Sequence, residues 1–331
     1  MTDSNDVVVR DFRRDDLEAV LALRASVFPG LDLPRERRRW TWEFDENPAR
    51  DPAVPDSWIL EHEGKVVGNY GLLPSRFAVG GRTIQAFAGI DFAVDPSMQG
   101  RGLGHVIAKR FMAIDGFPYI TSPTPATCHL MQKYGGEVIV GAEEPSLWVY
   151  PLHAGRPDPS TSDEVEVSEI TEFDTRFDAL FAAVGRDLPL VNVRDAAYLN
   201  WRYRDYPFGK PTMLQATHRG TGDLRGFAVF QHDPNLNQGY VLELWTAPED
   251  RATTGSLLAG AVAAARRVDI AELYTRNRLA PMQASLEANQ FHRVDGHPLQ
   301  FVCRVADLEV RSQDWYITTG DGDILFGVGD L

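Results

Sequence analysis

A chain of 331 residues with 44% hydrophobic and 24% charged side chains is long enough for two ordinary domains and has neither the bias of a disordered chain nor that of a fibrous one. A net charge of −14 excludes the basic face that a nucleic-acid binder needs, and the densest basic run, Arg35 to Arg39, is followed at once by Glu43, Asp45 and Glu46. The longest apolar runs are too short to span a bilayer, and MTDSNDVVVRDF lacks the apolar core of a secretory signal, so a cytoplasmic protein without nucleic-acid or membrane partners is expected. Cys128 and Cys303, the two cysteines, are then expected to be free thiols.

In chain order, the predicted elements occur twice. Trp42-Glu-Phe-Asp-Glu-Asn-Pro48 and Trp201-Arg-Tyr-Arg-Asp-Tyr-Pro207 share the pattern W-x-[FY]-x-x-x-P. A strand, a glycine turn and a second strand follow each, around Gly64 and around Gly220 to Gly222. Ile90-Asp-Phe-Ala-Val-Asp-Pro96 then aligns with Leu242-Glu-Leu-Trp-Thr-Ala-Pro248, and each leads into a long helical pattern. A short apolar strand and a further helix close each copy. Residues 153–162, rich in Pro, Gly, Asp and Ser, read as linker. The expected division is a first domain over 1–150, a linker over 151–162, a second domain over 163–310 and a tail over 311–331. The fold class is α+β, each domain a mostly antiparallel sheet flanked by helices. Trp40, Trp42 and Trp201 are expected in the cores.

Chemistry concentrates after the first copy's central strand. That strand ends at Val94; a turn follows, then Gln99-Gly-Arg-Gly-Leu-Gly104, then a helix with Leu103, Val106, Ile107, Phe111 and Ile114 on its apolar face. Glycines at a strand-to-helix turn leave amides uncovered, and with the helix dipole these form an anion site to which Arg101 can add charge. The loop lacks the Gly-Lys-Ser/Thr of a P-loop and the G-x-G-x-x-G of a dinucleotide site. Asp91 is an acid in an otherwise apolar strand. Alternation puts it on one face with Ala93, and Ile90, Phe92 and Val94 on the other; burial there is expected to raise its pKa toward that of a useful base. No His, Cys or acid group has metal-ligand spacing, so no metal is expected.

Gln99, Gly102 and Gly104 resemble the Q/R-x-x-G-x-G/A signature of the GNAT superfamily of N-acetyltransferases, with Val94 and Pro96 in their usual places. The resemblance covers about 5–150 and returns more weakly over 163–310, as in tandem GNAT proteins. It implies that an acyl-CoA, acetyl-CoA first, is the cosubstrate and an amine the acceptor. It implies that amides of Gln99, Gly100, Arg101, Gly102, Leu103 and Gly104 hold the pyrophosphate. It also implies that the strand splays from its neighbour, so that the pantetheine arm pairs with backbone near Ala93 and Val94. Asp91 is then a general base, an ammonium ligand or a structural acid. The tyrosine that usually protonates the leaving thiolate falls at Met131, and the usual asparagine seven residues earlier at Thr124. Cys128, His129 and Tyr134 are the substitutes, placed on one predicted helix. In the second copy Arg251-Ala-Thr-Thr-Gly-Ser256 replaces the glycine loop, and threonines crowd the phosphate position. The leading reading is transfer to a small amine such as an amino sugar or an amino-acid-like metabolite. A longer acyl group, a carrier protein, a peptide lysine, or CoA binding without turnover stand as alternatives.

Overall fold

The two W-x-[FY]-x-x-x-P segments fold alike. Each is a π-helical turn, Thr41–Asp45 and Asn200–Arg204, with its tryptophan buried. This computed structural model describes residues 6–140, 147–153, 155–277, 279–294, 300–305, 308 and 315–321. The chain forms two compact units. The first comprises 1–77, 83–139 and 301–309, the second 78–82, 140–300 and 310–331.

In chain order the strands are β1 Val7–Asp11, β2 Ser57–His62, β3 Lys65–Val79, β4 Arg82–Val94, β5 Phe117–Thr121 and β6 Glu137–Val140. There follow β7 Leu147–Pro151, β8 Val165–Ile170, β9 Leu190–Asn192, β10 Thr212–His218, β11 Leu224–Asp233 and β12 Gln238–Thr246. The last are β13 Glu272–Arg276, β14 His292–Arg293, β15 Gln300–Cys303 and β16 Trp315–Tyr316. The first sheet runs β1-β2-β3-β4-β5-β15-β6, the second β14-β7-β13-β12-β11-β10-β8. Read from opposite ends, the two orders correspond strand for strand. Each has a parallel pair at its centre, β4 with β5 and β12 with β13, and the first sheet also carries the parallel pair β9 with β16. The expected class, helices on mostly antiparallel sheets, is what forms. The correspondence holds only because β7 and β15 exchange places. Residues 147–150, read with the first domain, lie on a strand of the second sheet; residues 301–303, read with the second, pair with β5. The second unit thus takes in residues 140–150 of the expected first domain, and the first unit residues 301–309 of the expected second.

In the first unit, helices α1 Leu17–Val27 and α2 Leu33–Trp40 lie with Trp40, Phe44 and Ile59 in one apolar cluster. Helix α3 Leu103–Met112 packs with Leu60, Leu72, Phe87 and Ile120 in another, and α4 Pro125–Gln132 adds Met131 to it. The expected face of α3 is confirmed at Leu103, Ile107 and Phe111, but Val106 is 48% exposed; Ala108 and Met112 are buried instead. Burying one such large side chain is worth about 1.5–3 kcal/mol. In the second unit, α5 Thr175–Val184 and α6 Ala196–Leu199 precede the sheet's central hairpin, and α7 Arg251–Arg267 and α8 Ala280–Ala288 follow it. The core there gathers Leu214, Phe230, Leu244, Leu258 and Leu286. No described helix is long and apolar enough to cross a membrane.

Candidate active site

The site begins where β4 leaves β5. Their parallel pairing covers only Ala86, Phe87 and Ala88, opposite Phe117, Pro118 and Tyr119, while β4 runs on to Val94. The splay expected beyond Ile90 is thus present. Its local cause is a bend at Asp91, which has φ 54, a left-handed conformation unusual for any residue but glycine. Such a residue costs about 1–2 kcal/mol, less for Asp than for most side chains. The bend overturns the expected alternation. Ile90 packs into the cluster of α1 and α2, and the Asp91 carboxylate reaches Arg24 on α1 and Arg39 on α2. Phe92 turns the other way, against Tyr70, whose ring meets Phe111 of α3.

The glycine turn follows. Asp95 caps a short turn, Pro96–Met98, by accepting from Ser97 N–H at 2.9 Å. Gln99 Nε2 donates to the Val94 carbonyl at 3.1 Å and ties the turn to the strand end. Gly100 and Gly102 have φ 74 and 77, and a β-carbon on either would meet nothing within 4 Å. Both therefore face open space, and Gly102 caps α3 without a side chain. The first amides of α3 have no intrahelical acceptor, so they are available to an anion.

Beside the turn lies a groove of ≈ 290 Å³. Of the residues expected to hold a cofactor, Val94, Gln99, Gly100, Gly102, Leu103 and Gly104 line it. Ala93 is buried, Arg101 folds back to the Ser97 carbonyl, and Thr124 caps α4 by accepting from Thr127 N–H. Sequence reasoning missed Val27, Phe28 and Met98 in the lining, and placed Phe92 only by strand alternation. Phe28 and Phe92, at 40% and 39% exposure, are large apolar groups left uncovered. That signal needs the fold to be seen.

The candidate acids separate. Cys128 and His129 sit on α4, Cys128 half-buried with its thiol pushed up by burial, His129 exposed. Tyr134 lies past the end of that helix, and its hydroxyl meets His105 Nδ1, in the first turn of α3, at 3.2 Å. Met131, at the usual tyrosine position, is a core residue. Both cysteines are free.

Asp91 does not have the electrostatics expected of it. Burial does act to raise its pKa, but the guanidiniums of Arg39 and Arg24 outweigh burial and hold the carboxyl below its ordinary value. Arg24 also pairs with Glu36, and Arg39 Nε with Glu43 at 2.8 Å. The acid pushed up is Glu43, to about 7, by complete burial. Asp91 and Arg39 keep 17% and 16% of their side chains exposed.

The second unit repeats the plan with another outcome. Glu243 stands on β12 where Asp91 stands on β4. It pairs with Arg194 at 2.9 Å, both fully buried, and accepts from Tyr203 Oη at 2.8 Å. The α7 terminus is capped by Asp250, whose Oδ1 accepts from Thr253 N–H at 3.0 Å and Oδ2 from Thr253 Oγ1 at 2.8 Å. Threonine crowding was the expected obstacle to phosphate; the stronger one is this carboxylate. Linker residues also lie against the helix pair: Ser160 N–H donates to Asn289 Oδ1 at 2.8 Å and Ser162 N–H to Ser256 Oγ at 3.2 Å.

Residues 8–114 match the family model of the acetyltransferase (GNAT) domain. Among curated proteins none matches the sequence. The fold is shared with a GCN5-related N-acetyltransferase from Kribbella flavida, at 18% identity and TM-score 0.62 over 90% of this chain and 70% of that one. It is shared with a tandem GNAT protein from the clavulanic acid biosynthesis pathway, at 16% identity and TM-score 0.54 over 90% and 98%. A conserved protein of unknown function from Enterococcus faecalis V583 matches at 10% identity and TM-score 0.59 over 81% of this chain. The match spans 64% of that longer protein.

Proposed function

We propose that this chain, whose first unit carries a GNAT acetyltransferase domain over residues 8–114, binds an acyl-CoA in the groove beside its glycine turn and passes the acyl group to an amine. The observation that carries this reading is the turn itself. Two left-handed glycines face open space, the second of them, Gly102, caps a helix without a side chain, and both lie next to a strand end released from its neighbour. Amides from Gly100 to Gly104 suit a pyrophosphate, the Gln99 amide being taken by the Pro96 carbonyl. The β4 edge at Ala93 and Val94, beyond its pairing with β5, suits the amides of a pantetheine arm, and an N–H there suits the oxyanion that forms on the thioester carbonyl. The amine nitrogen attacks that carbonyl carbon, the C–N bond forms and the C–S bond breaks. The thiolate leaves with a proton, and the ammonium proton passes to solvent. Tyr134 is the proposed donor to the thiolate, because its hydroxyl reaches the first turn of α3 at His105.

Acetyl is the proposed acyl group, a small amine such as an amino sugar or an amino-acid-like metabolite the proposed acceptor, and the cytoplasm the proposed compartment. Isothermal titration with acetyl-CoA should show one site per chain, and an amine screen read by thiol release should show turnover. A folded protein that binds no CoA would overturn the reading.

A further inference from the structure

Asp91 sits at a bend, is not free to act as an isolated base, and has a counterpart in a unit whose groove is closed. Its two oxygens face Arg24 Nη1 at 2.9 Å and Arg39 Nη2 at 3.1 and 3.2 Å. Arg24 and Arg39 are anchored in turn by Glu36 and Glu43. The backbone of Asp91 is held as well, since its carbonyl accepts from Asn69 Nδ2 at 3.2 Å. A residue in the left-handed region persists only when its surroundings over-determine it.

In the second unit, Val229 pairs with Glu243 and the next residue, Phe230, with Val241, so β12 carries its own bend at Leu242 and Glu243. There too an arginine, Arg194, clamps the acid. No glycine turn adjoins it: Asp250 fills the helix terminus and Ser160 to Ser162 lie against the helix pair. A base has nothing to deprotonate in that setting. What the two acids share is an arginine clamp at an irregular point of the strand, a left-handed residue at Asp91 and a register shift at Leu242 beside Glu243.

We propose that Asp91 is a positioning residue: the clamp of Arg24 and Arg39 on its carboxylate holds the bend in β4 that turns Phe92 and Val94 into the acyl-CoA groove. The mechanism is register. One residue out of alternation decides which side chains after it face α3 and which face α1 and α2. If the bend relaxes, Phe92 and Val94 exchange faces with their neighbours and the groove loses a wall. This inference rests on the acyl-CoA reading of the groove.

The test uses Asp91→Ala, Asp91→Gly and Arg39→Met in the full chain. CoA affinity is read by titration and turnover by thiol release with an accepted amine, each over pH 6–9. Asp91→Ala loses both the clamp and an easily bent residue, and is expected to weaken CoA by at least about 10-fold. Asp91→Gly loses the clamp but takes the left-handed conformation at no steric cost, and should recover most of that affinity. Arg39→Met should weaken CoA in the same sense with Asp91 intact. The pH profile of kcat/KM should keep its shape in Asp91→Gly. A general base predicts the reverse: Ala and Gly variants with unchanged CoA affinity, kcat lower by about 10²–10⁴-fold, and a lost limb in the profile. That result would overturn the proposal while leaving the acyl-CoA reading standing. A wild-type chain that binds no CoA removes both. If the Ala variant does not fold, the Gly and Arg39 variants decide.

Discussion

Helices α3 and α7 follow equivalent strands and begin in opposite ways. At α3 the cap is Gly102, with no side chain and open space before it. At α7 the cap is Asp250, which takes the amide and hydroxyl of Thr253 and is itself held by Arg225 at 2.9 Å. Every helix start leaves amides unsatisfied and a positive dipole end. One unit keeps that potential for an anion from outside; the other fills it from within the chain. The clamped acids differ in the same direction. Arg39 and Asp91 are part-exposed, whereas Arg194 and Glu243 are sealed. A repeated plan thus gives an open site once and a closed core once, through the residue that caps a helix and the chain that covers it.

The closed unit should be the easier to break. Ending the chain at Val310 removes Trp315, Tyr316 and Ile317, all buried, and Asp321, which pairs with Arg194 at 2.7 Å. Three large apolar groups at about 1.5–3 kcal/mol each, plus a buried arginine that loses one of its two carboxylate partners, exceed the margin of most domains. The second unit is expected to lose its near-UV circular dichroism and its protease resistance. A truncated chain with a native spectrum would refute the sealed-core account. Arg194→Leu should cost about 3–5 kcal/mol in urea melts, because it strands Glu243 and Asp321. Arg39→Met should cost less, since Arg24 still pairs with Asp91. Equal losses would erase the difference between the two clamps.

Gly102→Val tests the open unit. A valine at φ 77 is strained by about 1–2 kcal/mol, and it projects into the space where the anion is proposed to sit. CoA affinity should fall at least about 100-fold while the unfolding midpoint moves little. Asp250→Ala, in the other unit, should cost about 1 kcal/mol of stability as a lost cap and leave CoA stoichiometry at one. A second CoA per chain in that variant would mean that the carboxylate alone had kept the site shut.

The repeat, the glycine turn and the strand-to-helix order were legible because each rests on local rules: alternation, helical spacing and the freedom of glycine. Tryptophans 42 and 201 were legible as core for the same reason. The exchange of β7 and β15 was not, because strand partners far apart in sequence leave no local pattern. Asp91 was misread because alternation assumes an unbroken strand, and because the arginines that set its charge lie 67 and 52 residues away. Val27 and Phe28 reach the groove only through the packing of α1. The tail after residue 310 is in its described part a buried strand, β16, beside β9, followed by Asp321, which pairs with Arg194.

The last comparison sets Glu43 against its counterpart Arg202. Glu43 is fully buried beside Arg39 and its carboxyl is pushed up to about 7; Arg202, equally buried, carries a fixed charge and donates to the Gly320 carbonyl. An unfolded Glu titrates near 4.3. Between those two values the folded chain holds a proton that the unfolded chain has released. Stability from Glu43 is therefore complete below the unfolded value and is lost as pH rises through about 7. Glu43→Gln cannot ionise and can still accept from Arg39 Nε. It should match the wild type near pH 4 and exceed it at pH 8, because it lacks the ionisation that costs the wild type stability as pH rises. Urea melts of the two proteins at pH 4, 6 and 8 give the difference directly. If the glutamine variant is the less stable at pH 8, the pairing of ionised Glu43 with Arg39 outweighs its burial and the carboxyl is not pushed up.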